Sequence, residues 1–284
     1  VIGKDIMTAP THTIVQISDT HIVPEGALLH DKVDTTANLT AALAGAEALG
    51  NVKVVVLTGD LADTADQAAY RRLRAIVDEF TTRSGIPVLY MMGNHDERAA
   101  FRTGLLGEEP SIEPYDHSSE HDGLRVIVMD STVPGHHYGE CTPEQLDWLR
   151  TELATPAPAG TVLALHHPPM PMAVPLMEEL GFRGIDELAG VIRGTDVRIV
   201  LSGHAHHAAA TVLAGIPVWI SGATAYTQDG FAGPEMLRGV VGAACTRVDV
   251  YPGLATATSV PVTPPGTVYE ARVSELLAMA GQAR

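Results

Sequence analysis

The sequence predicts an α/β sandwich of three or four layers, and three observations carry that prediction. Over the first two-thirds of the chain, short apolar runs of strand type alternate with segments of helical periodicity. In the last third, strand-like runs follow one another with turn signals between them. The composition, 45% hydrophobic and 18% charged over 284 residues, is that of a globular protein with a full core. No apolar run approaches the ~20 residues that cross a bilayer as a helix.

Taken in order, residues 12–17 form a β-rich run ending at Ser18-Asp19-Thr20-His21. A helix follows from Asp34 as N-cap, with Leu39, Leu43, Ala46 and Leu49 at helical spacing and Gly50 as its stop. Residues 52–57 are almost wholly apolar, as in a strand buried on both faces, and end at Thr58-Gly59-Asp60. The next helix carries Ala69, Leu73, Ile76, Val77 and Phe80 on one face and stops near Gly85. Residues 87–92 make a third strand, closed by Gly93-Asn94-His95-Asp96, and residues 97–106 a short helix.

Residues 108–120 read as a loop or the start of a hairpin, with His121-Asp122-Gly123 turning into a strand at 124–129. Thr142-Pro143-Glu144-Gln145 has the spacing of a capping box with proline at the first helical position. Leu146, Leu149 and Leu153 line that helix, and Trp148 packs on it. A strand at 161–165 ends at His166-His167-Pro168-Pro169, and a helix over 186–192 leads to the strand 197–201 and Gly203-His204-Ala205-His206. Beyond His207, strands are expected at 209–213, 218–220, 240–250 and 254–260, with turns at Ala214-Gly215 and Pro252-Gly253. Residues 222–239 form a long irregular loop and 274–280 a short terminal helix.

The net charge of −16 argues against a nucleic-acid surface, which needs a basic stripe. It would also repel an anionic substrate at long range unless bound cations reverse the sign locally. Two cysteines far apart, Cys141 and Cys245, make no disulfide framework and point to a reducing cytoplasm. No secretory signal pattern opens the chain. Residues 1–11 read as an N-terminal extension, with 1–6 a vector-derived remnant ahead of Met7. Residues 12–265 form one domain, and 266–284 a C-terminal segment.

Five strand ends carry residues able to bind metal: Asp19, His21, Asp60, Asn94, His166, His204 and His206. In open α/β sheets, ligands bind beyond the carboxyl ends of the strands, so these positions are equivalent. His204 and His206, two apart in an extended segment, present both imidazoles to one side. Nitrogen and oxygen donors without a thiolate suit Mn, Fe, Co or Zn. Seven donors are too many for one tetrahedral ion and fit two ions sharing a carboxylate.

These blocks, Asp19-x-His21, Gly59-Asp60, Gly93-Asn94-His95-Asp96, His166 and Gly203-His204-x-His206, resemble the five signatures of the calcineurin-like metallophosphoesterase superfamily. Further stretches resemble its bacterial class III cyclic-nucleotide phosphodiesterases. They are Ile17-Ser18-Asp19-Thr20-His21, Thr58-Gly59-Asp60-Leu61-Ala62-Asp63, Val133-Pro134-Gly135-His136-His137 and Leu163-Ala164-Leu165-His166-His167-Pro168-Pro169. Arg193-Gly194-Thr195-Asp196-Val197-Arg198 adds a likeness to the mycobacterial member.

The resemblance implies a four-layer α/β/β/α sandwich holding two transition-metal ions (Mn or Fe, with Zn or Co as further options). Metal one takes Asp19, His21, Asp60 and His206, and metal two takes Asp60, Asn94, His166 and His204, with Asp60 bridging. It implies hydrolysis of phosphodiesters, 3′,5′-cyclic nucleotides first, by attack of a metal-bound hydroxide. His95 is implied to face the phosphoryl group as an acid or charge stabiliser. Asp63, or Asp96 beside His95, orients a histidine, and His137 or its neighbour His136 reaches the substrate. A homodimer through the C-terminal third is implied as well. Glycerophosphodiesters, other diesters or monoesters are alternative substrates, and a non-catalytic scaffold of the same fold is the rival class.

Each motif alone has a plainer reading. Asp19-x-His21 is a solvated loop, Gly59-Asp60 a turn with a helix cap, and Asn94 a turn residue. His12, His30, His117, His121 and His207 read as exposed or locally bonded, and His167 as supporting structure. Met170, Met172 and Met177 read as core or rim residues. It is the order of five blocks at equivalent positions that favours one site.

Overall fold

The structure, a computed structural model, describes residues 9–172, 179–233, 235–262, 266–272 and 274. Met177 and, Ser274 aside, the helix expected over 274–280 lie outside the described residues.

Two sheets face each other. The first has the order β13-β12-β1-β2-β3, with β1 (His12–Ile17), β2 (Val52–Thr58) and β3 (Val88–Met91) parallel. The strands β12 (Ala244–Tyr251) and β13 (Leu254–Pro261) are added antiparallel. The second has the order β4-β5-β6-β7-β9-β8, with β5 (Leu124–Met129), β6 (Gly160–Leu165), β7 (Val197–Ser202) and β9 (Ile216–Ile220) parallel. Its edges are the antiparallel β4 (His117–His121) and β8 (Ala209–Leu213).

The period-2 alternation of strand side chains explains the layering. On β1 and β2, Ile14, Val54 and Val56 point between the sheets, where they meet Val126, Val128, Val162, Ala164, Ile199 and Leu201. Val15, Ile17, Val55 and Leu57 point the other way, onto helices α1 (Thr35–Ala48) and α2 (Gln67–Ser84). On the far face, Ile127, Met129, Leu163, Leu165 and Val200 meet α4 (Pro143–Leu153) and α5 (Ile185–Ile192) through Leu146, Leu149, Leu188 and Ile192. The layers are therefore α/β/β/α. Side chains buried this fully contribute about 1.5–3 kcal/mol each, and runs apolar on both faces belong to the inner strands.

Local signals hold at most boundaries. Asp34 caps α1 by accepting from Ala37 N at 2.9 Å, and Thr142 and Gln145 form the reciprocal capping box of α4. Trp148 and Met170 pack against the outer core of the second sheet. Three expectations need correction. Leu49 lies past the end of α1 and is 39% exposed, so the buried face ends at Ala46. The helix expected over 97–106 is a short α3 (Arg98–Phe101) followed by a π-helical turn, Arg102–Leu106. There a Cβ on Gly104 would lie 2.8 Å from Cβ of Tyr70, so only glycine lets the turn close over that ring.

The strand expected over 240–250 divides into β11 (Gly239–Val240) and β12, and β11 pairs with β10 (Thr227–Gln228) inside the long loop. The intervening Gly242 disfavours continuous strand. His12 is buried, its ring bonded to Thr11 Oγ1 and the Asp122 carbonyl. Among the described residues no helix is long and apolar enough to cross a membrane, and Cys141 and Cys245 are free and buried.

Candidate metal centre

All seven candidate ligands follow the carboxyl ends of parallel strands and converge at the seam between the sheets. Asp19, His21, Asp60 and Asn94 follow β1, β2 and β3 of the first sheet, and His166, His204 and His206 follow β6 and β7 of the second. Gln16 ties the two halves, donating to Thr58 Oγ1 at 3.0 Å and to the Ser202 carbonyl at 2.9 Å. The Asp19 carboxylate accepts from His204 N at 3.0 Å, and Asp60 Oδ1 accepts from His95 N at 2.9 Å.

The backbone is specialised here. Asp19, His21, Asp60, His204 and His206 all adopt positive φ, between 42° and 69°. A left-handed residue costs about 1–2 kcal/mol, less for Asp, and such strain clusters where side chains must be aimed. Gly93 is required by close approach, since a Cβ there would lie 2.2 Å from Asp60 N and 2.8 Å from His166 Cε1.

Two groups of donors share one carboxylate. Asp19, His21, Asp60 and His206 offer one atom each within 4.8 Å of one another, and so do Asp60, His166 and His204. Asp60 Oδ2 lies 3.6 Å from His21 Nε2, and Oδ1 lies 3.4 Å from His166 Nε2. The carboxylate thus faces both groups, one oxygen to each. Asn94 joins the second group through Oδ1, 3.3 Å from His166 Nε2.

The imidazoles are aimed as ligands. His166 Nδ1 faces the Thr58 carbonyl at 2.8 Å, His206 Nδ1 the Tyr226 carbonyl at 3.2 Å, and His21 Nδ1 the Asp63 carboxylate at 3.1 Å. Each Nδ1–H donates outward, leaving Nε2 with its lone pair pointing inward. His21 Nε2 and His206 Nε2 then oppose each other at 3.1 Å. Two lone pairs cannot bond to each other, but a cation satisfies both. His204 Nε2 is buried with no hydrogen-bond partner. The donor set therefore fits two cations of the N/O-binding class.

The electrostatics divide the imidazoles, and His166 would give up its second proton on taking a cation in place of it. Burial pushes His204 and His206 down to about 3, keeping them neutral and able to donate lone pairs. Burial opposes charge on His166 as well, yet Asp60 and Asp19 outweigh it and raise its pKa to about 9. Asp60, though buried, is held well below the usual carboxylate range by His166. Asp19 is raised, chiefly by burial.

A third group, His21, Asp63 and His95, is an orienting arrangement in which Asp63 engages both Nδ1 atoms. Asp63 Oδ1 takes the His21 Nδ1 proton, and the Asp63 carbonyl takes that of His95 Nδ1 at 2.7 Å. The histidine-orienting carboxylate is thus Asp63 and not Asp96, which accepts from backbone amides and Tyr70 instead. His95 lies beside the cluster, its ring 4.7 Å from that of His21. His137 is exposed, with Nδ1 accepting from Asn94 Nδ2 at 3.3 Å. Its neighbour His136 lines a cavity of ≈ 410 Å³ with Asn94, Arg98, Ile112 and Thr132.

His167 is fully buried, bonded to Ser131 Oγ at 2.8 Å and to the His137 carbonyl at 3.2 Å, so it anchors the 133–139 loop. Sequence reasoning missed Tyr226, whose ring lies 4.3 Å from that of His206. It sits inside the long loop, where no periodicity or spacing singles out one residue.

The fold and this centre are those of a phosphoesterase, and the chain belongs to the calcineurin-like phosphoesterase family, whose sequence profile matches residues 12–208. Among its relatives, a probable cyclic nucleotide phosphodiesterase of Rhodococcus erythropolis is 45% identical over 263 residues, 92% of this chain and 87% of that protein. A cAMP/cGMP dual specificity phosphodiesterase of Mycobacterium tuberculosis is 44% identical over 255 residues, 89% of this chain and 80% of that one. In three dimensions the chain resembles a dimetal phosphatase from Danio rerio, with a TM-score of 0.65 and 14% identity over 89% of this chain and 97% of that one. At that identity the likeness is one of fold.

Proposed function

We infer that this protein is a metal-dependent phosphodiesterase that hydrolyses 3′,5′-cyclic nucleotides to 5′-monophosphates. The observation that carries the reading is the Asp60 carboxylate shared between two converging donor groups, in a chain 44–45% identical to proteins named cyclic nucleotide phosphodiesterases. In this reading Asp19, His21, Asp60 and His206 hold one ion and Asp60, Asn94, His166 and His204 the other, with Mn or Fe preferred and Zn or Co acceptable. Bound there, two such ions lower the proton affinity of a water and polarise the phosphoryl oxygens, and they reverse the local sign of a chain carrying −16.

The chain's own residues do the rest. His95, its Nδ1 committed to the Asp63 carbonyl, keeps Nε2 for the leaving ester oxygen, where a proton donor is worth about 10²–10⁴ in rate. Asp63 holds His21 in the tautomer that presents Nε2. His137 holds the Asn94 amide with its oxygen toward His166. The ≈ 410 Å³ cavity beside Asn94 suits the body of a small nucleotide.

A substrate panel after metal reconstitution tests the reading. It compares 3′,5′-cyclic and 2′,3′-cyclic nucleotides, glycerophosphodiesters, an activated aryl diester and monoesters. We expect the highest kcat/KM of the natural esters with 3′,5′-cyclic nucleotides. Preference for glycerophosphodiesters would move the substrate and keep the chemistry, and inactivity on every ester with two ions bound would favour the scaffold.

We also propose a homodimer through the C-terminal third, supported by apolar side chains on the long loop and just after it, where Phe231 is 97% and Val241 83% exposed. Free buried thiols support a reducing, cytoplasmic setting. Light scattering should give twice the chain mass for the wild type and the single mass for Phe231→Asp/Val241→Asp. A monomeric wild type would rule the dimer out.

A further inference from the structure

The two loops that carry Asp60 and Asn94 are joined by a side chain that is part of neither donor group. The Asp96 carboxylate is buried and accepts four hydrogen bonds. Oδ2 accepts from Gly93 N at 2.8 Å and Leu61 N at 3.1 Å, and Oδ1 from Ala62 N at 3.2 Å and Tyr70 Oη at 2.8 Å. Leu61 and Ala62 directly follow Asp60, and Gly93 directly precedes Asn94. One carboxylate thus sets the spacing between the loop after β2 and the loop after β3.

Three of its four donors are backbone amides. The fourth, the Tyr70 hydroxyl, comes from outside both loops. Tyr70 lies on α2, is fully buried, and packs edge-to-face on Phe101 with ring centroids 6.3 Å apart. Its oxygen also accepts from Glu97 N at 3.4 Å, so it touches the β3 loop a second time. The effect falls on one side of the centre. Asp60 Oδ1, tied to His95 N of this same loop, is the oxygen that faces His166, whereas Oδ2 faces His21.

We propose that Tyr70 is a positioning residue for the second metal: its hydroxyl fixes Asp96, and Asp96 fixes Asp60 Oδ1 and Asn94 at the spacing the Asp60–Asn94–His166–His204 group requires. This rests on the two-metal reading above. Residues that orient ligands from behind typically control metal affinity by about 10–100-fold. Tyr70→Phe keeps the ring and its packing and removes only the hydroxyl. Asp96→Asn replaces one acceptor oxygen with an amide that repels the donors facing it.

The test is manganese binding at buffered free concentrations, read as ions per chain by elemental analysis, with thermal melting of the same samples. Wild-type protein is expected to take up two ions, and failure there rejects the two-metal reading itself. With that met, Tyr70→Phe should weaken the second ion by about tenfold or more and leave the first within about twofold. Asp96→Asn should shift the same ion at least as far. Phe101→Leu, which loosens the packing but keeps the hydroxyl, should lower the melting temperature without that selective shift. Unchanged second-ion binding in Tyr70→Phe or Asp96→Asn would overturn the proposal. So would an equal shift of both ions in Tyr70→Phe, or a selective shift in Phe101→Leu.

Discussion

Asp60→Asn is expected to reduce bound metal from two ions per chain to fewer than one and to lower kcat/KM on an activated aryl phosphodiester by roughly 10³-fold or more. Asp60 is the one residue common to both donor groups, with Oδ2 3.6 Å from His21 and Oδ1 3.4 Å from His166. An amide cannot serve both, because its nitrogen has no lone pair to offer and the anionic charge is lost. Metal ions supply several kcal/mol of transition-state stabilisation, and each 1.36 kcal/mol is about tenfold in rate. The asparagine side chain tolerates the positive φ of this position, 48°, so the fold should survive. Asn94→Ala is the informative contrast. Asn94 touches only the second group, so one ion should remain. Full metal content and wild-type turnover in Asp60→Asn would remove the bridging assignment.

Stripping the metal by chelation is expected to abolish turnover and to lower the melting temperature by roughly 7 °C for each ion lost. A ligand at 1,000 times its dissociation constant adds about 4.1 kcal/mol to stability, and at about 2.1 cal/mol/K of unfolding entropy per residue each kcal/mol moves the midpoint of a chain this long by about 1.7 °C. Within the centre, five residues hold left-handed backbone conformations and two imidazole Nε2 atoms oppose each other at 3.1 Å. Bound cations compensate both costs. Refilling with Mn should restore turnover and midpoint together. A midpoint unmoved by chelation, with activity intact, would count against metal dependence.

Most of the strand and helix order is legible from residue patterns, because the inner strands are apolar on both faces and the helix ends carry explicit caps such as Asp34 and Thr142. The departures have physical causes that lie elsewhere in the chain. The π-helical turn after α3 packs Gly104 against the Tyr70 side chain, contributed by a helix some thirty residues earlier. Leu49 fits the helical spacing of α1, but it is the C-cap, past the last helical residue, and it is exposed. The division at 240–244 depends on β11 pairing with β10 across the long loop. Candidate site residues are legible for a different reason. Ligand chemistry demands particular side chains at strand ends, and those leave short dense motifs.

Gly203-His204-Ala205-His206 shows where that reading stops. Spacing marks the pair as two imidazoles on one loop. Only the tertiary structure separates them, placing His206 Nε2 against His21 and Asp19 and grouping His204, its Nε2 buried without a partner, with Asp60 and His166. Tyr70 carries no such spacing signal, and the motif that contains Asp96 does not show its partners, three of which are backbone amides that any sequence possesses. Side-chain chemistry is written in the residue types and survives as pattern. The hydrogen bonds of Asp96 to the main chain depend on where distant segments pack, and they exist only once the loops after β2 and β3 and helix α2 have come together.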